Sequence, residues 1–170
     1  MDDNLEAFEL PRARPGHTPL PDQISDAEQP IVTRTNLIGP YASVFKRDED
    51  DAADAFLAEH LLHDPNTGTR ITQRVILPVD VIADFPQLAK TPDAPLPEIH
   101  ARLAEAGDLT WRETVTARLP LPDEQAVFGI ADGGPILVTR RVTYSGDRPL
   151  VCEELHAAAE HVKLTYEGPA

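Results

Sequence analysis

The chain has 170 residues, of which 41% are hydrophobic, and a net charge of −14. This size allows one domain with a buried core, and the negative charge argues against direct contact with nucleic-acid phosphates or an anionic membrane surface. The single cysteine, Cys152, excludes an internal disulfide and a cysteine-rich zinc site. The sequence has no apolar run of bilayer length, and its acidic N-terminus lacks signal-peptide features. We therefore expect a soluble, cytoplasmic protein without a membrane partner.

The first part of the chain predicts a tail followed by mixed elements. Residues 1–30 are rich in proline and charge and have no sustained apolar period. We expect a disordered or extended tail there, and one folded domain over residues 31–168. The apolar stretch Ile31–Phe45 predicts a short strand on either side of Gly39-Pro40. An acidic run then precedes apolar residues at i, i+3 and i+4 spacing, which predicts a helix over Ala53–Leu62.

The second part of the chain predicts helices inserted between strands that pair by hairpins. Ile71–Leu77 predicts a strand, Pro78–Phe85 a turn with a short helix, and Leu96–Ala106 a helix that ends at Gly107. The remaining predicted elements, in chain order, are a strand over Thr110–Leu119, a short helix from Pro122, a hairpin of Ile136–Tyr144 with Leu150–His156, and a final strand over Val162–Tyr166. This pattern predicts an α+β fold with a central antiparallel sheet and short flanking helices.

Strand alternation places three charged residues on apolar faces. Side chains in a strand alternate between two faces, so Glu113 lies among apolar neighbours, and so does Arg140. If Tyr144 pairs with Pro149 in the hairpin, Arg140 lies opposite Glu153. Buried charges require partners, so we expect Arg140 to pair with Glu113, with Glu153 or with an anionic ligand. A salt bridge that only fixes the fold and a ligand contact are equally compatible with this pattern.

No catalytic or metal-binding constellation is recognisable in the sequence. His60, His63 and Asp64 have a spacing that a metal could use, but without a second group of ligands a solvated helix end is the better interpretation. His156 and His161 are expected at the surface. There is no phosphate-binding loop, dinucleotide fingerprint or nucleophile elbow. We therefore predict no catalytic residue, no metal and no cofactor.

The region from about Leu96 to Tyr166 resembles a known family. The residues that carry the resemblance are Gly107, Arg112-Glu113, Thr116-Ala117-Arg118, Pro120, Pro122-Asp123-Glu124, Gly134-Pro135, Arg140, Tyr144, Gly146-Asp147-Arg148-Pro149 and Leu164-Thr165-Tyr166. In this order and spacing they resemble the UTRA effector-binding domain of HutC-type transcription regulators of the GntR family. Ile71–Asp80 resembles the first-half strand of that domain more weakly.

The resemblance implies a chorismate-lyase-like α+β fold with a small-molecule site in the cleft between the two halves of the domain. It also implies a homodimer that reports ligand occupancy to a winged helix-turn-helix. Resemblance and alternation together give the ligand-binding candidates, which are Arg112, Glu113, Arg118, Arg140, Tyr144 and Glu153. The arginines favour an anionic or polar metabolite as the ligand.

Departures from the family pattern leave two main hypotheses. The residues before Ile31 do not read as a winged helix-turn-helix, and Val75-Ile76, Val151 and Ala157 replace polar family residues. The first hypothesis is a non-enzymatic effector-sensing domain without its own DNA-binding domain, which meets DNA only through a helix-turn-helix partner. The alternative is a ligand-less dimerisation module that pairs with a full-length regulator. An enzyme that removes pyruvate from an aromatic ester is a third and weaker possibility.

Overall fold

A computed structural model describes residues 7–12, 25–48, 50, 53–130 and 133–168. The strands are β1 (Phe8–Pro11), β2 (Ser25–Asp26), β3 (Ile31–Asn36), β4 (Asp54–His63), β5 (Arg70–Pro78), β6 (Leu109–Arg118), β7 (Ile136–Ser145), β8 (Arg148–Ala158) and β9 (Val162–Thr165). The helices are α1 (Pro40–Val44), α2 (Val79–Asp84), α3 (Leu96–Ala104) and α4 (Pro122–Phe128), and a 3₁₀ turn spans Pro86–Lys90.

The strands form one large antiparallel sheet and one small parallel sheet. In the large sheet the order is β2-β4-β5-β8-β7-β6, and β3 also pairs with β4. In the small sheet β1 lies parallel to β9, with Phe8 opposite Val162. The large sheet with its few short helices confirms the predicted α+β class. This order also places β6 at one edge of the large sheet, where β7 is its one hydrogen-bonded neighbour among the described strands.

Each face of the large sheet packs against different helices. Val75, Leu77 and Val151 face α2 and α3, where they join Val81, Ile99 and Leu103 in one core cluster. The neighbouring residues Ile76, Val142 and Cys152 point the other way and pack with Leu37 and Phe45, which flank α1. Because successive side chains of a strand alternate, one sheet supports two separate environments. The face on the α1 side carries the cleft described below.

Most predicted elements of the second half are confirmed. The predicted strand over residues 71–77, the helix over 96–106, the strand over 110–119 and the hairpin all occur within a few residues of the expected bounds. The short helix from Pro122 ends at Gly129, whose φ of 67° lies in the left-handed region that glycine adopts without strain. The single cysteine, Cys152, is buried.

The predicted helix over Ala53–Leu62 is wrong, because this segment is the strand β4. It pairs with β3 on one side and with β5 on the other, for example Ala58 with Val32 and with Val75. The ladder bonds that β4 makes on both edges outweigh the weak helical preference of its alanines and leucines. The second of the two strands predicted in Ile31–Phe45 is also wrong, since Pro40–Val44 forms α1, with Pro40 at its first position.

The predicted hairpin register is correct at the turn and wrong beyond it. Tyr144 pairs with Pro149, but Thr143 pairs with Val151, so β8 carries an extra residue at Leu150. This bulge changes the facing pairs to Arg140 with Glu154 and Arg141 with Glu153. A shift of one residue moves every later side chain to the other face of the sheet. The expected position of Arg140 opposite Glu153 is therefore wrong.

A strand lies inside the segment that was expected to be a tail. Phe8 and Leu10 of β1 are buried in a cluster with Leu62, Ile71 and Leu155 of the large sheet. Arg12, which follows this strand, is also buried. Residues 1–6 and 13–24 of the expected tail lie outside the described residues. The small sheet of β1 and β9 therefore adds to the core rather than projecting from it.

Candidate functional site

A cleft of about 390 Å³ lies against the outer face of β6 and β7, next to α1. Ser43, Val44 and Lys46 line it from α1 and the turn that follows. The side chains that line it from the sheet are Arg112, Thr114 and Thr116 of β6 and Val138, Arg140, Val142 and Tyr144 of β7. This volume falls within the range of small-molecule sites in proteins.

Strand register explains how the sheet assembles this lining. Arg112 pairs with Val142, Thr114 with Arg140, and Thr116 with Val138, each directly across the β6–β7 ladder. Residues at every second position share a face, and residues directly opposite in an antiparallel pair share it as well. The even-numbered residues of both strands therefore form a continuous floor of arginine, hydroxyl and valine side chains.

The charged residues that line the cleft, among those the structure describes, are all positive. Lys46, Arg112 and Arg140 line it together with hydroxyl groups, and none of the described lining residues is a carboxylate, although the chain carries a net charge of −14. The Lys46 ammonium donates to the Asp147 carbonyl at 2.8 Å and lies 5.9 Å from the centre of the Tyr144 ring. Arg112 is exposed and makes no ion pair with a described residue. Such a surface favours an anionic group, which arginine binds with paired N–H donors.

Arg140 is held at the edge of the cleft by groups behind it. Its Nη2 donates to Glu154 Oε2 at 3.2 Å, and its guanidinium lies 6.0 Å from the centre of the Tyr41 ring. Tyr41 also donates to Glu154, and the His156 Nε2 lies 3.6 Å from the same carboxylate. Burial opposes ionisation of Glu154, but the adjacent His156 ring, the hydrogen bond from Tyr41 and the charge of Arg140 outweigh it and lower its pKa to about 2. Glu154 is thus an anion that positions Arg140.

The opposite face of the same strands carries a buried ion network. Arg12 Nε lies 3.0 Å from Glu113 Oε1, and Arg12 Nη2 lies 2.6 Å from Glu153 Oε1. Arg141 Nε donates to Glu113 Oε1 at 3.1 Å, and its guanidinium lies 4.4 Å from the centre of the Trp111 ring. The four charged side chains are at most 6% exposed. Two cations and two anions make this network neutral as a whole.

Burial and mutual charge shift the pKa values of this network. Burial opposes ionisation of Glu113, yet the hydrogen bond and charge of Arg12, with the charge of Arg141, lower its pKa. Burial lowers the pKa of Arg12, but the charges of Glu153 and Glu113 reverse that effect and raise it. Burial also lowers the pKa of the nearby His100 to about 4, so its imidazole is neutral at pH 7. The hydrogen bond between His100 Nε2 and Thr143 Oγ1, at 3.2 Å, involves this neutral ring.

The six residues predicted to bind a ligand fall into three places. Arg112, Arg140 and Tyr144 line the cleft. Glu113 and Glu153 lie in the buried network on the opposite face, so the expected pairing of Arg140 with either of them is wrong. The hairpin bulge explains the difference for Glu153, which lies opposite Arg141, and the β6–β7 register explains it for Glu113, which also lies opposite Arg141. Arg118 lies apart from both, where it binds Glu124 through two hydrogen bonds.

Sequence reasoning missed several residues of both sites. Thr114 and Thr116 could have been found, since they share the face of Arg112 by simple alternation. Lys46 and Arg12 have no local signal, because each follows a short element and meets partners about a hundred residues away or more. His156 was expected at the surface but is 6% exposed, because it lies between Glu124 and Glu154.

The described residues contain neither a membrane-spanning helix nor a cluster of potential metal ligands. Within these ranges, no helix has the length and apolar character needed to cross a bilayer. No group of three or more histidine, cysteine, aspartate or glutamate side chains among them is placed to hold a metal ion. The candidate site is therefore the cleft of Arg112 and Arg140.

Comparisons with known proteins agree with this architecture. Residues 109–163 match the family model of the UTRA domain. A comparison with curated proteins found no match. One similar solved structure is assigned to a GntR-family transcriptional regulator, with a TM-score of 0.75 and 16% identity over 96% of this chain and 71% of that one.

Two similar solved structures are separate domains. The effector domain of PhnF from Mycobacterium smegmatis has a TM-score of 0.62 and 22% identity over 82% of this chain and 84% of its own. The C-terminal domain of the histidine utilization repressor from Pseudomonas syringae pv. tomato str. DC3000 has a TM-score of 0.62 and 19% identity over 87% of this chain and 99% of its own. The chain thus has the fold of GntR-family effector domains and carries a UTRA domain match in its second half.

Proposed function

We propose that this chain is a non-enzymatic effector-sensing domain of a transcription regulator of the HutC type, and that it binds an anionic small molecule in the cleft. The observation that carries the proposal is the lining of Lys46, Arg112 and Arg140, with no carboxylate among the described lining residues, in a strongly acidic chain. The UTRA match and the effector-domain fold support the same function. The comparisons give no support to the alternative of a ligand-less pairing module.

The arrangement of polar groups fits recognition of one anionic group attached to a less polar body. The three cations and the hydroxyls of Thr114 and Thr116 supply donors for an oxyanion, while Val138 and Val142 supply apolar contact. Charge-assisted hydrogen bonds are about twice as strong as neutral ones, so the anionic group contributes most of the affinity. Ligand occupancy reaches DNA only through a helix-turn-helix unit, because a chain with a net charge of −14 is unsuited to phosphate contacts.

Binding of glycerol 3-phosphate, inorganic phosphate and glycerol, measured by isothermal titration calorimetry and thermal shift, tests the anionic site. We expect both phosphates to stabilise the protein and glycerol to have no effect. Arg112→Ala should weaken phosphate binding roughly 10- to 100-fold, the equivalent of one charged hydrogen bond. Arg112 makes no ion pair with a described residue, so its removal should leave the fold intact.

The matched control is Arg102→Ala, which removes an arginine from the exposed Glu98 pair on α3. It should bind phosphate like the unmodified protein. Equal weakening in both variants would show that only the overall charge matters. If no phosphate or carboxylate metabolite stabilised the protein, the sensing function would be excluded.

We also propose that the chain acts as a homodimer. Val115, Leu119 and Leu121 are exposed large hydrophobic residues at the free edge of β6 and the turn after it, with exposures of 44%, 72% and 56%. Clustered apolar side chains at an unpaired edge are typical of contact surfaces. Sedimentation should show a dimer that Leu119→Asp dissociates. An unchanged sedimentation coefficient for this variant would place any dimer contact elsewhere.

A further inference from the structure

The buried network on the face away from the cleft has the form of an occupied binding site. Its acceptors are the carboxylates of Glu113 and Glu153, and its occupant is the guanidinium of Arg12, which comes from 101 and 141 residues away in the sequence. We call the two carboxylates and the side chain of Gln73 the guanidinium site. The guanidinium site and the cleft lie on opposite faces of the large sheet, so the side chains that line the cleft from the sheet point away from this site.

The acceptors are positioned by the large sheet and not by the strand that delivers Arg12. Glu113 lies on β6 opposite Arg141 on β7, which in turn lies opposite Glu153 on β8. Gln73 of β5 donates to Glu153 Oε2 at 2.9 Å and so leaves Oε1 directed at Arg12. Three adjacent ladders of the sheet therefore fix the acceptor geometry.

The occupant belongs to a much smaller element. Arg12 directly follows β1, which has four residues and pairs only with β9 among the described strands. Its Nε and Nη2 each meet a carboxylate oxygen, the fork geometry that distinguishes guanidinium from ammonium. Glu113 Oε2 is a further buried acceptor that has no hydrogen-bond partner of normal geometry among the described residues.

Removal of Arg12 would leave an unbalanced charge in the interior. Arg141 would then be the one cation beside Glu113 and Glu153 among the described residues, and all three side chains are at most 6% exposed. An uncompensated buried carboxylate is strongly unfavourable, so the vacant position would favour a cation of matching shape. The ammonium of lysine is a compact point charge that cannot reproduce both contacts.

We infer that Glu113 and Glu153 form a guanidinium-binding site that Arg12 occupies within the same chain, and that small guanidinium or amidinium compounds bind there when Arg12 is withdrawn. Arg12 adjoins β1, so an external ligand at this site would replace one of the contacts that hold β1 to the large sheet, beside the apolar packing of Phe8 and Leu10. This inference is independent of the anionic cleft and goes beyond the proposed function.

The test is chemical rescue of Arg12→Ala by ethylguanidinium chloride, followed by thermal unfolding. We expect Arg12→Ala to unfold several degrees below the unmodified protein. Ethylguanidinium at millimolar concentrations should raise its unfolding temperature in a saturable way, and tetramethylammonium chloride at equal ionic strength should not. The unmodified protein, whose site is filled, and the double variant Arg12→Ala/Glu153→Gln should show no saturable increase.

Rescue that is equal in all three proteins, or absent from Arg12→Ala, would overturn the inference. If Arg12→Ala does not fold by itself, its refolding yield from urea replaces the unfolding temperature as the measurement. Ethylguanidinium should then increase the yield of folded protein, and no increase at any concentration would equally contradict the site. Failure of phosphate binding in the cleft leaves this experiment unaffected, because the two sites share no side chain.

Discussion

At the scale of single residues, the most unusual feature is a pair of adjacent buried carboxylates. Glu153 and Glu154 are 5% and 3% exposed and point to opposite faces of β8. Both are covered because β8 is a central strand, with β5 on one side and β7 on the other. Each has its own cation, Arg12 for Glu153 and Arg140 for Glu154. Neither charge would be tolerated at this depth without such a partner.

The low pKa of Glu154 predicts a loss of stability in acid. Its pKa is about 2 in the folded protein and near 4.5 when unperturbed. A lowered folded-state pKa stabilises the protein above the unfolded value, and this contribution is lost as the pH falls from about 4.5 towards 2. Glu154→Gln should therefore reduce stability at pH 7 by about 2 kcal/mol and flatten the dependence of stability on pH below 4.5.

Urea unfolding at a series of pH values measures this effect. Glu160→Gln is the control, because Glu160 is 66% exposed and lies beside His161 at the surface. It should match the unmodified protein at each pH. A Glu154→Gln variant with an unchanged acid slope would show that other carboxylates account for acid unfolding.

At the scale of elements, local chemistry fixes how α4 ends. Gly129 caps this helix with a φ of 67°, and a Cβ placed there would meet no atom within 4 Å. Any loss of stability when Gly129 is replaced by alanine therefore comes from the backbone conformation alone. Glu124 closes the other end of the helix, since its carboxylate accepts from the Leu121 N–H at 2.8 Å. Both ends of α4 can thus be read from the sequence.

Gly129→Ala should lower the free energy of unfolding by about 1–2 kcal/mol, because a left-handed backbone is unfavourable for residues with a Cβ. Gly134→Ala is a matched control in the same loop region. Its backbone is not in the left-handed region, and a Cβ there would make an ordinary 3.6 Å contact with Ile130. Chemical denaturation should show a change below about 0.5 kcal/mol for this control. Equal losses in both variants would argue for a packing effect instead.

At the scale of the whole molecule, β1 and β9 are parts of the main core. Phe8 and Leu10 pack with Leu62, Ile71 and Leu155, and Arg12 adds the buried ion pairs. The N-terminal strand, the large sheet and the C-terminal strand should therefore unfold together. This arrangement also places the two faces of β6, one with the cleft and one with Arg12, within the same cooperative unit.

Leu10→Ala should destabilise the whole protein by about 2–5 kcal/mol, the range for removing a buried leucine side chain. Leu10 is 2% exposed. Glu9→Ala changes an exposed neighbour on the same strand and should cost far less, although it removes the hydrogen bond that Thr165 donates. Fluorescence and circular dichroism should report one transition. A separate early transition in Leu10→Ala would show that β1 unfolds independently.

The sequence by itself determined the parts of this protein that depend on local pattern. The strands, the turn and the short helix between Leu109 and Thr165 follow from alternation, Gly146-Asp147 and Pro122, because each of these signals acts within a few residues of chain. The same alternation correctly separated Arg112 from Glu113 within β6. It did not relate the faces of β6 to those of β7, and the register places Arg140 with Arg112 and not with Glu113. The resemblance to the UTRA domain rested on this region, which is where the family model matches.

Only the tertiary structure decided the features that depend on distant partners. β4 is a strand because both of its edges find ladders, although its own residues favour a helix. The bulge at Leu150 shifts the β8 partners by one residue, so that Arg140 faces Glu154 and Arg141 faces Glu153, and a single inserted residue reverses faces without any periodic signal. Arg12 is buried because carboxylates far along the chain compensate its charge. Long-range pairing energies of this kind leave no trace in the local sequence, which is why both candidate sites required the fold.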